Sequence, residues 1–399
     1  MKLQDFIERQ KQLIELEKSE DEAQFRLLHE QCSAAELERG GLALQKLRLD
    51  SSRTGLGGRL VLNFVTTTER KSLISATKIG CGDIVSVKHQ KSSDDRPLCT
   101  GVCARLDESK IVVAVEKSES LLDLDQESTL YCLVKMANDV TYRRMIQCLH
   151  NLEKYNDFPG AHIVDLAFGS AEFPSLTDDS PAVDLKLTLN QSQQEAVAFA
   201  LDKRRAISMI HGPPGTGKTT TVAALIKLAV SRGEKVLVCG PSNVSVDNLV
   251  DHLSREGSGG SGLRGNSMIR LGHPARVTPE TRKFALDYVM KSGQDWAIVN
   301  DVRQDIDNVL RKLAKVRTEE RFRLKRELNF LRKELRDRED RVLDQLLSGA
   351  SVLASTLTSC DYKGPLKRLI GRPGWKGFDL VIVDESAQVE LLTVEFNLI

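Results

Sequence analysis

At 399 residues the chain has room for two or three domains, and 41% hydrophobic with 5% aromatic residues is the texture of a globular protein able to bury a core. Its 57 basic and 56 acidic residues leave a formal net charge of +1, which excludes a uniformly basic coat that would bind nucleic acid by charge alone; any such site must be local. The eight cysteines, Cys32, Cys81, Cys99, Cys103, Cys132, Cys148, Cys239 and Cys360, form no C-x-x-C pair and have no His-x-x-x-His partner, so free thiols in a reducing compartment are expected rather than a zinc module or a disulfide framework.

Residues 1–12 are amphipathic and charged rather than an apolar signal core, and no stretch approaches the roughly 18 uncharged apolar residues of a spanning helix. The expectation is an intracellular protein, cytoplasmic or nuclear or both, with no membrane partner. Across residues 2–28, Phe6, Ile7, Leu13, Leu16 and Phe25 recur at helical spacing among Glu, Gln and Lys, which predicts one long amphipathic helix; residues 1–43 form a stalk helix and its lead-in. Residues 44–136 change to short β-branched runs such as Leu60-Val-Leu-Asn-Phe-Val65, Asp83-Ile-Val-Ser-Val87 and Ile111-Val-Val-Ala-Val115, separated by Gly, Asp and Ser, and predict a small antiparallel sheet or barrel. A second stalk helix is expected over 137–157, and a Pro- and Ser-bearing linker over 158–183.

Residues 184–399 alternate strand candidates at 206–210, 235–239, 351–354 and 380–383 with helix-length segments, the pattern of a parallel sheet with covering helices. Residues 256–262 have the composition of a flexible connecting loop. Residues 301–347, dense in charge with Leu, Val and Phe at helical spacing, predict a helical hairpin inserted in the sheet domain. A solvated charged helix pair is the first reading of it, with a nucleic-acid contact surface as its rival.

The strongest chemical signal is Gly212-Pro-Pro-Gly-Thr-Gly-Lys-Thr219, a complete G-x-x-x-x-G-K-[ST] loop between an apolar run and an Ala- and Leu-rich helix beginning near Thr220. The glycines, Gly212, Gly215 and Gly217, let consecutive backbone N–H groups turn inward around phosphate oxygens where the helix N-terminus adds partial positive charge, and Pro213, Pro214 and Thr216 complete the nucleotide-binding loop. Lys218 would reach the β- and γ-phosphates of ATP, and Thr219 would ligate Mg²⁺. The apolar run Leu380-Val-Ile-Val383 ends in Asp384 and Glu385, placing two carboxylates at the carboxyl edge of the sheet. Asp384 fits an outer Mg²⁺ ligand, and Glu385 the base or positioner of the attacking water. No Asn-Lys-x-Asp, His-Arg-Asp or Asp-Phe-Gly motif points instead to a GTPase or a kinase. Gln193 lies shortly before the phosphate loop, and its amide can donate to and accept from an adenine edge; a helix start capped by Asn190 or Ser192 explains the same residues.

Taken with Ser52-Arg-Thr-Gly-Leu-Gly-Gly-Arg59, Ala137-Asn-Asp-Val-Thr-Tyr-Arg-Arg144, Gly240-Pro-Ser-Asn-Val-Ser-Val-Asp-Asn-Leu249 and Arg270-Leu-Gly-His-Pro-Ala-Arg276, these motifs resemble the superfamily 1 helicases of the Upf-like branch, specifically the immunoglobulin mu-binding (Smubp) family, over nearly the whole chain. The resemblance implies an α/β fold: a P-loop RecA-like parallel sheet domain, an accessory β-barrel on a helical stalk, and a helical insertion over 276–348. It assigns adenine recognition to Gln193, nucleotide contact also to Thr220, and sensing of the γ-phosphate to Gln388. It places Pro241, Ser242, Asn243, Asp247 and Asn248 along a nucleic-acid backbone, with Thr356 and Thr358 in a further backbone-contacting motif.

The activity implied is ATP-driven 5′-to-3′ translocation on single-stranded DNA or RNA by a monomer, with ribonucleoprotein or ribosome association as a further partner. Residues 389–399 depart from the family pattern and the Gly-Asp-x-x-Gln motif does not follow, so the second RecA-like domain is absent and a fragment, isoform or incomplete gene product is expected. That domain supplies arginines whose loss costs roughly 10³- to 10⁵-fold in phosphoryl transfer, so the chain is expected to bind ATP better than it turns it over. The competing reading is a non-motor, ATP-responsive module that binds nucleic acid or a partner.

Overall fold

The computed structural model describes residues 2–54, 60–67, 77–90, 97–115, 129–137, 139–157, 160–173, 189–255, 263, 267–272, 276–293, 295–313, 319–360, 364–370 and 372–388; the loop expected over 256–262 and the divergent stretch 389–399 lie outside them. The chain forms two compact units built from alternating pieces of sequence, one from residues 1–15, 140–291 and 344–399, the other from 16–139 and 292–343. Among the described residues no helix is long and apolar enough to cross a membrane.

In the unit built from 16–139 and 292–343, six strands close into an antiparallel barrel: β1 (Ala43–Thr54), β2 (Leu60–Thr66), β3 (Ile84–His89), β4 (Cys99–Leu106), β5 (Lys110–Val115) and β6 (Leu130–Lys135), in the order β1-β2-β5-β4-β3-β6. Period-2 alternation does the sorting: Leu62, Phe64, Ile111, Val113, Val85, Val87 and Tyr131 fill the interior while their neighbours face outward. Gly101 marks the tightest crossing, where a Cβ would stand 2.6 Å from Val113 Cγ1 and 2.8 Å from the Ala114 carbonyl oxygen. Before the barrel, the helix Ala34–Arg39 starts on a reciprocal cap in which Ser33 Oγ accepts from the Glu36 N–H and Glu36 accepts from the Ser33 N–H at 2.7 Å. The charged hairpin is real: α-helices span Trp296–Leu313 and Glu319–Gly349, the latter 31 residues long. Val302, Ile306 and Val309 of the first helix and Leu328 and Leu335 of the second are buried, and an Arg303–Glu339 ion pair joins the two helices.

In the other unit, the first turns of the long helix Leu3–Gln31 pack Phe6, Ile7 and Ile14 against Met145, Leu149 and Leu152 of the helix Asp139–Leu152. The sheet has four parallel strands, β7 (Val236–Gly240), β8 (Met268–Arg270), β9 (Val352–Thr356) and β10 (Leu380–Val383), in the order β10-β7-β9-β8. Every residue of β7 and β9 is buried, as befits central strands covered on both faces. The cover includes α1 (Gln191–Ala200), α2 (Lys218–Ser231) and α3 (Asn243–Ser254), whose Val197, Ala224, Ile226, Leu249 and Leu253 share one core with the sheet.

Three expectations are corrected. Residues 206–210 form no strand: Met209 is 85% exposed and Ile207 41%, so burial does not pin a ladder register there. The linker over 158–183 contains a helix, Ala161–Ala167, because Val164 and Leu166 bury on one side of it. Residues 276–291 stay with the unit of the parallel sheet rather than the insertion, since Phe284 joins its core and the Thr278 N–H donates to Asp247 at 2.8 Å.

Candidate nucleotide and nucleic-acid site

The phosphate loop leaves the sheet domain through residues 211–217 and opens α2 at Lys218. Gly215 and Gly217 sit at φ +79° and +81°, left-handed conformations that glycine alone adopts without strain. Close approach adds a second constraint: a Cβ on Gly212 would stand 2.8 Å from Thr216 Oγ1, and one on Gly217 2.8 Å from Gln193 Nε2. Thr216 Oγ1 ties the loop by donating to the Pro213 carbonyl at 2.8 Å. Lys218 Nζ donates to the Gly212 and Pro213 carbonyls at 2.8 and 3.2 Å, which holds the ammonium inside the loop's concavity. Pro213, Pro214, Gly215 and Thr216 are exposed, and Thr219 and Thr220 sit half-buried on the first turn of α2.

Gln193 performs the capping role and touches the loop as well. Asn190 is the N-cap of α1, settling the choice between Asn190 and Ser192, and the side-chain oxygen Oε1 of Gln193 accepts the Asn190 N–H at 3.1 Å. Its Nε2 donates to the Thr216 carbonyl at 3.1 Å.

At the end of β10, the Asp384 N–H donates to the Cys239 carbonyl at 2.9 Å, carrying the β7 pairing one residue past the strand. Burial pushes the Asp384 carboxyl above the usual range; the Glu385 N–H, donating to Oδ1 at 3.0 Å, pulls it back, the Glu385 charge raises it, and Lys218 lowers it. The carboxylate and the loop lysine therefore feel one another's charge across the carboxyl edge of the sheet. Glu385 occupies the left-handed region at φ 51°, an uncommon conformation for a side chain of its size, and is exposed. Gln388 Nε2 donates to Glu385 Oε2 at 3.2 Å from the short turn Ser386–Gln388.

Among the described residues no cluster of three His, Cys, Asp or Glu side chains could hold a metal. The donor set near the loop, one hydroxyl from Thr219 and one carboxylate from Asp384, suits Mg²⁺, which keeps waters and shares ligands with substrate phosphates rather than entering an all-protein cage.

The segment after β7 divides between surface and interior. Ser242 caps α3, its Oγ accepting from the Ser245 N–H at 3.1 Å; Ser242 and Asn248 are exposed, and Pro241 and Asn243 half-buried. Asp247 is buried: Oδ1 accepts from Arg270 Nε at 2.9 Å and Oδ2 from the Thr278 N–H. Arg270, 0% exposed, also donates from Nη2 to Asn243 Oδ1 at 2.8 Å and from Nη1 to the Leu271 carbonyl. Thus the structure turns Asp247 inward, correcting its sequence assignment as a strand contact: it anchors the loop that carries Ser242 and Asn243. Thr356 is likewise buried, its hydroxyl donating to Ser359 Oγ at 2.8 Å, whereas Thr358 is half-buried and its carbonyl accepts from Arg144 Nη1 at 2.6 Å.

Arg270 and Arg144 were both inside motifs quoted from the sequence, yet neither received a role. The available signal was Arg270's position in the apolar run Met268-Ile-Arg-Leu271, where a buried guanidinium demands a partner.

A family model for the AAA domain matches residues 188–394, and one for the Helicase SMUBP-2/HCS1 1B domain matches residues 7–136. The DNA-binding protein SMUBP-2 of Rattus norvegicus is 38% identical over 97% of this chain and 38% of its own length, and that of Mus musculus gives the same figures. The DNA polymerase alpha-associated DNA helicase A of Schizosaccharomyces pombe is 33% identical over 88% of this chain and 52% of its own. The chain thus spans well under two thirds of these relatives. With a P-loop sheet domain, a closed barrel and near full-length similarity, the chain belongs to the SMUBP-2/HCS1 family of Upf1-like superfamily 1 helicases.

Proposed function

We propose that this chain supplies the nucleotide-binding side of an ATP-dependent helicase that moves 5′ to 3′ on single-stranded DNA or RNA. The observation that carries the reading is the loop itself, in which Gly215 and Gly217 take left-handed conformations and Lys218 Nζ is held on the Gly212 and Pro213 carbonyls where α2 opens.

On this reading the N–H groups of Gly215, Thr216 and Gly217 and the N-terminus of α2 receive the phosphates, and Lys218 exchanges its loop carbonyls for β- and γ-phosphate oxygens. Mg²⁺, held by Thr219 and Asp384, would neutralise charge shared between those two phosphates. Glu385 accepts the proton of the attacking water, and Gln388, already bonded to Oε2, keeps that carboxylate oriented and sits where it can sense the γ-phosphate. Gln193 spends one acceptor site on Asn190 and one N–H on Thr216, which leaves an amide with one donor and one acceptor for a purine edge. Thr220 lies beside them on α2.

Single-strand binding is assigned to Pro241, Ser242, Asn243 and Asn248 after β7 and to Thr358 after β9, while the buried Thr356, its hydroxyl committed to Ser359, shapes that turn from within. Short polar side chains of this kind hold a backbone without reading its sequence. DNA is favoured as the strand because the relatives are a DNA-binding protein and a DNA helicase. The domain plan carried by this reading is a stalk over 1–43 and 137–157, a barrel over 44–136, and a RecA-like domain over 184–399.

The test is ATP turnover with and without an oligo-dT strand, run beside strand displacement and filter binding. Strand-stimulated turnover that is lost in Lys218→Ala and Glu385→Gln is the expected result. Turnover indifferent to both substitutions would remove the assignment, and strand binding without turnover would favour the non-motor module.

A further inference from the structure

Outside the nucleotide site, the buried thiols of Cys239 and Cys360 face each other at an Sγ–Sγ distance of 3.4 Å. Cys239 is the fourth residue of β7, directly before Gly240 and the loop of Pro241 and Ser242. Cys360 closes the turn Leu357–Ser359 that follows β9, and its N–H donates to the Thr356 carbonyl at 3.1 Å. The two sulfurs therefore bridge the roots of both loops proposed to hold the strand. Both residues belong to the same compact unit, and β7 pairs directly with β9, with Cys239 opposite Ser355.

We propose that Cys239 and Cys360 are a redox-modification site, closing to a disulfide under peroxide. The 3.4 Å contact with Cys239 lowers the Cys360 pKa most; burial opposes it, and the neighbouring Ser355 hydroxyl and the positive charge of the buried Arg270 guanidinium lower it further. The Cys360 thiolate attacks one oxygen of hydrogen peroxide, the O–O bond breaks, and the sulfenic acid forms with release of hydroxide that takes up a proton as water. The Cys239 sulfur then attacks the sulfenic sulfur, its proton leaves with the departing hydroxyl as a second water, and the S–S bond forms. Two thiols are oxidised and one peroxide is reduced to two waters.

A disulfide needs the sulfurs at about 2.05 Å, so closure shortens the Sγ–Sγ separation from 3.4 Å by more than an ångström and ties the end of β7 covalently to the turn after β9. Cys103, which lies beside Cys81, and Cys132 are instead pushed up by burial to about 12 and about 11, the unreactive protonated form. The consequence for strand binding, which rests on the proposed function, is that oxidation weakens it about tenfold, the equivalent of one lost phosphate contact.

The experiment treats the intact chain with hydrogen peroxide, maps disulfides by non-reducing peptide mass analysis, and measures affinity for an oligo-dT strand before and after, with dithiothreitol reversal. The expected result is a Cys239–Cys360 linked peptide, a reversible tenfold loss of affinity, and no response in Cys360→Ser or Cys239→Ala. Both thiols remaining open to alkylation after denaturation of the peroxide-treated chain would overturn the proposal. A linked peptide with unchanged affinity would overturn the coupling to the loops, and a reduced chain that binds no strand at all would count against the proposed function and leave the disulfide to the mapping.

Discussion

The side chains proposed to carry the chemistry were legible because they come as spaced motifs: the loop glycines, Lys218, Thr219 and the acidic pair at Asp384 and Glu385 follow the spacing that phosphates and a metal require. Arg270 and Asp247 were not, because a sequence does not say which buried charge meets which. Their pair makes a residue-scale prediction. Asp247→Ala leaves the Arg270 guanidinium buried without its carboxylate, and unfolding by urea should show a loss of about 3–5 kcal/mol; a change below 1 kcal/mol would mean the pair is not holding the loop. The thiols make another. Burial holds Cys103 up to about 12, so at pH 8 iodoacetamide should label exposed Cys81 well before Cys103, and equal rates would contradict the buried assignment.

Helices and barrel strands were readable from period 3.6 and period 2, since burial on one face writes itself into the residue pattern. The failures at this scale have the same physics. Residues 206–210 are apolar but present Ile207 and Met209 outward, and Ala161–Ala167 is too short and too close to Pro159 to stand out from its linker. Gly101 gave no sequence signal either, because only the crossing with β5 shows that a side chain has no room. Gly101→Ala is expected to destabilise the barrel by about 1–3 kcal/mol in thermal unfolding, and an unchanged melting temperature would contradict the close approach. On α2, Lys227 is buried with Nζ donating to the Arg255 carbonyl at 3.0 Å, and burial lowers its pKa. The folded state thus disfavours the charged lysine, a cost fully present below the folded pKa that disappears as the pH rises to the ordinary value of 10.5. Lys227→Met should therefore gain most over the parent near neutral pH and lose that advantage towards pH 10.5, read by denaturant unfolding across the range; an advantage that grows with pH would reverse the assignment.

At the scale of the whole molecule, the alternation of strands and helices over 184–399 was enough to predict a parallel sheet, and the two-unit division follows a chain that leaves the sheet domain to build a barrel and a helical hairpin. The order β10-β7-β9-β8 was not readable, because equal apolar strands carry no label for their neighbours. What that order achieves is to set the carboxyl ends of β7, β9 and β10 side by side, bringing Asp384 next to Cys239 and within the field of Lys218. The most direct test of the account is a calorimetric titration of the chain with Mg-ATP, repeated on Lys218→Ala. One saturable site per chain, weakened about a hundredfold by the substitution, is the predicted result, the equivalent of losing a charge-assisted phosphate contact. Equal affinity in the two proteins, or no binding by the parent, would contradict it.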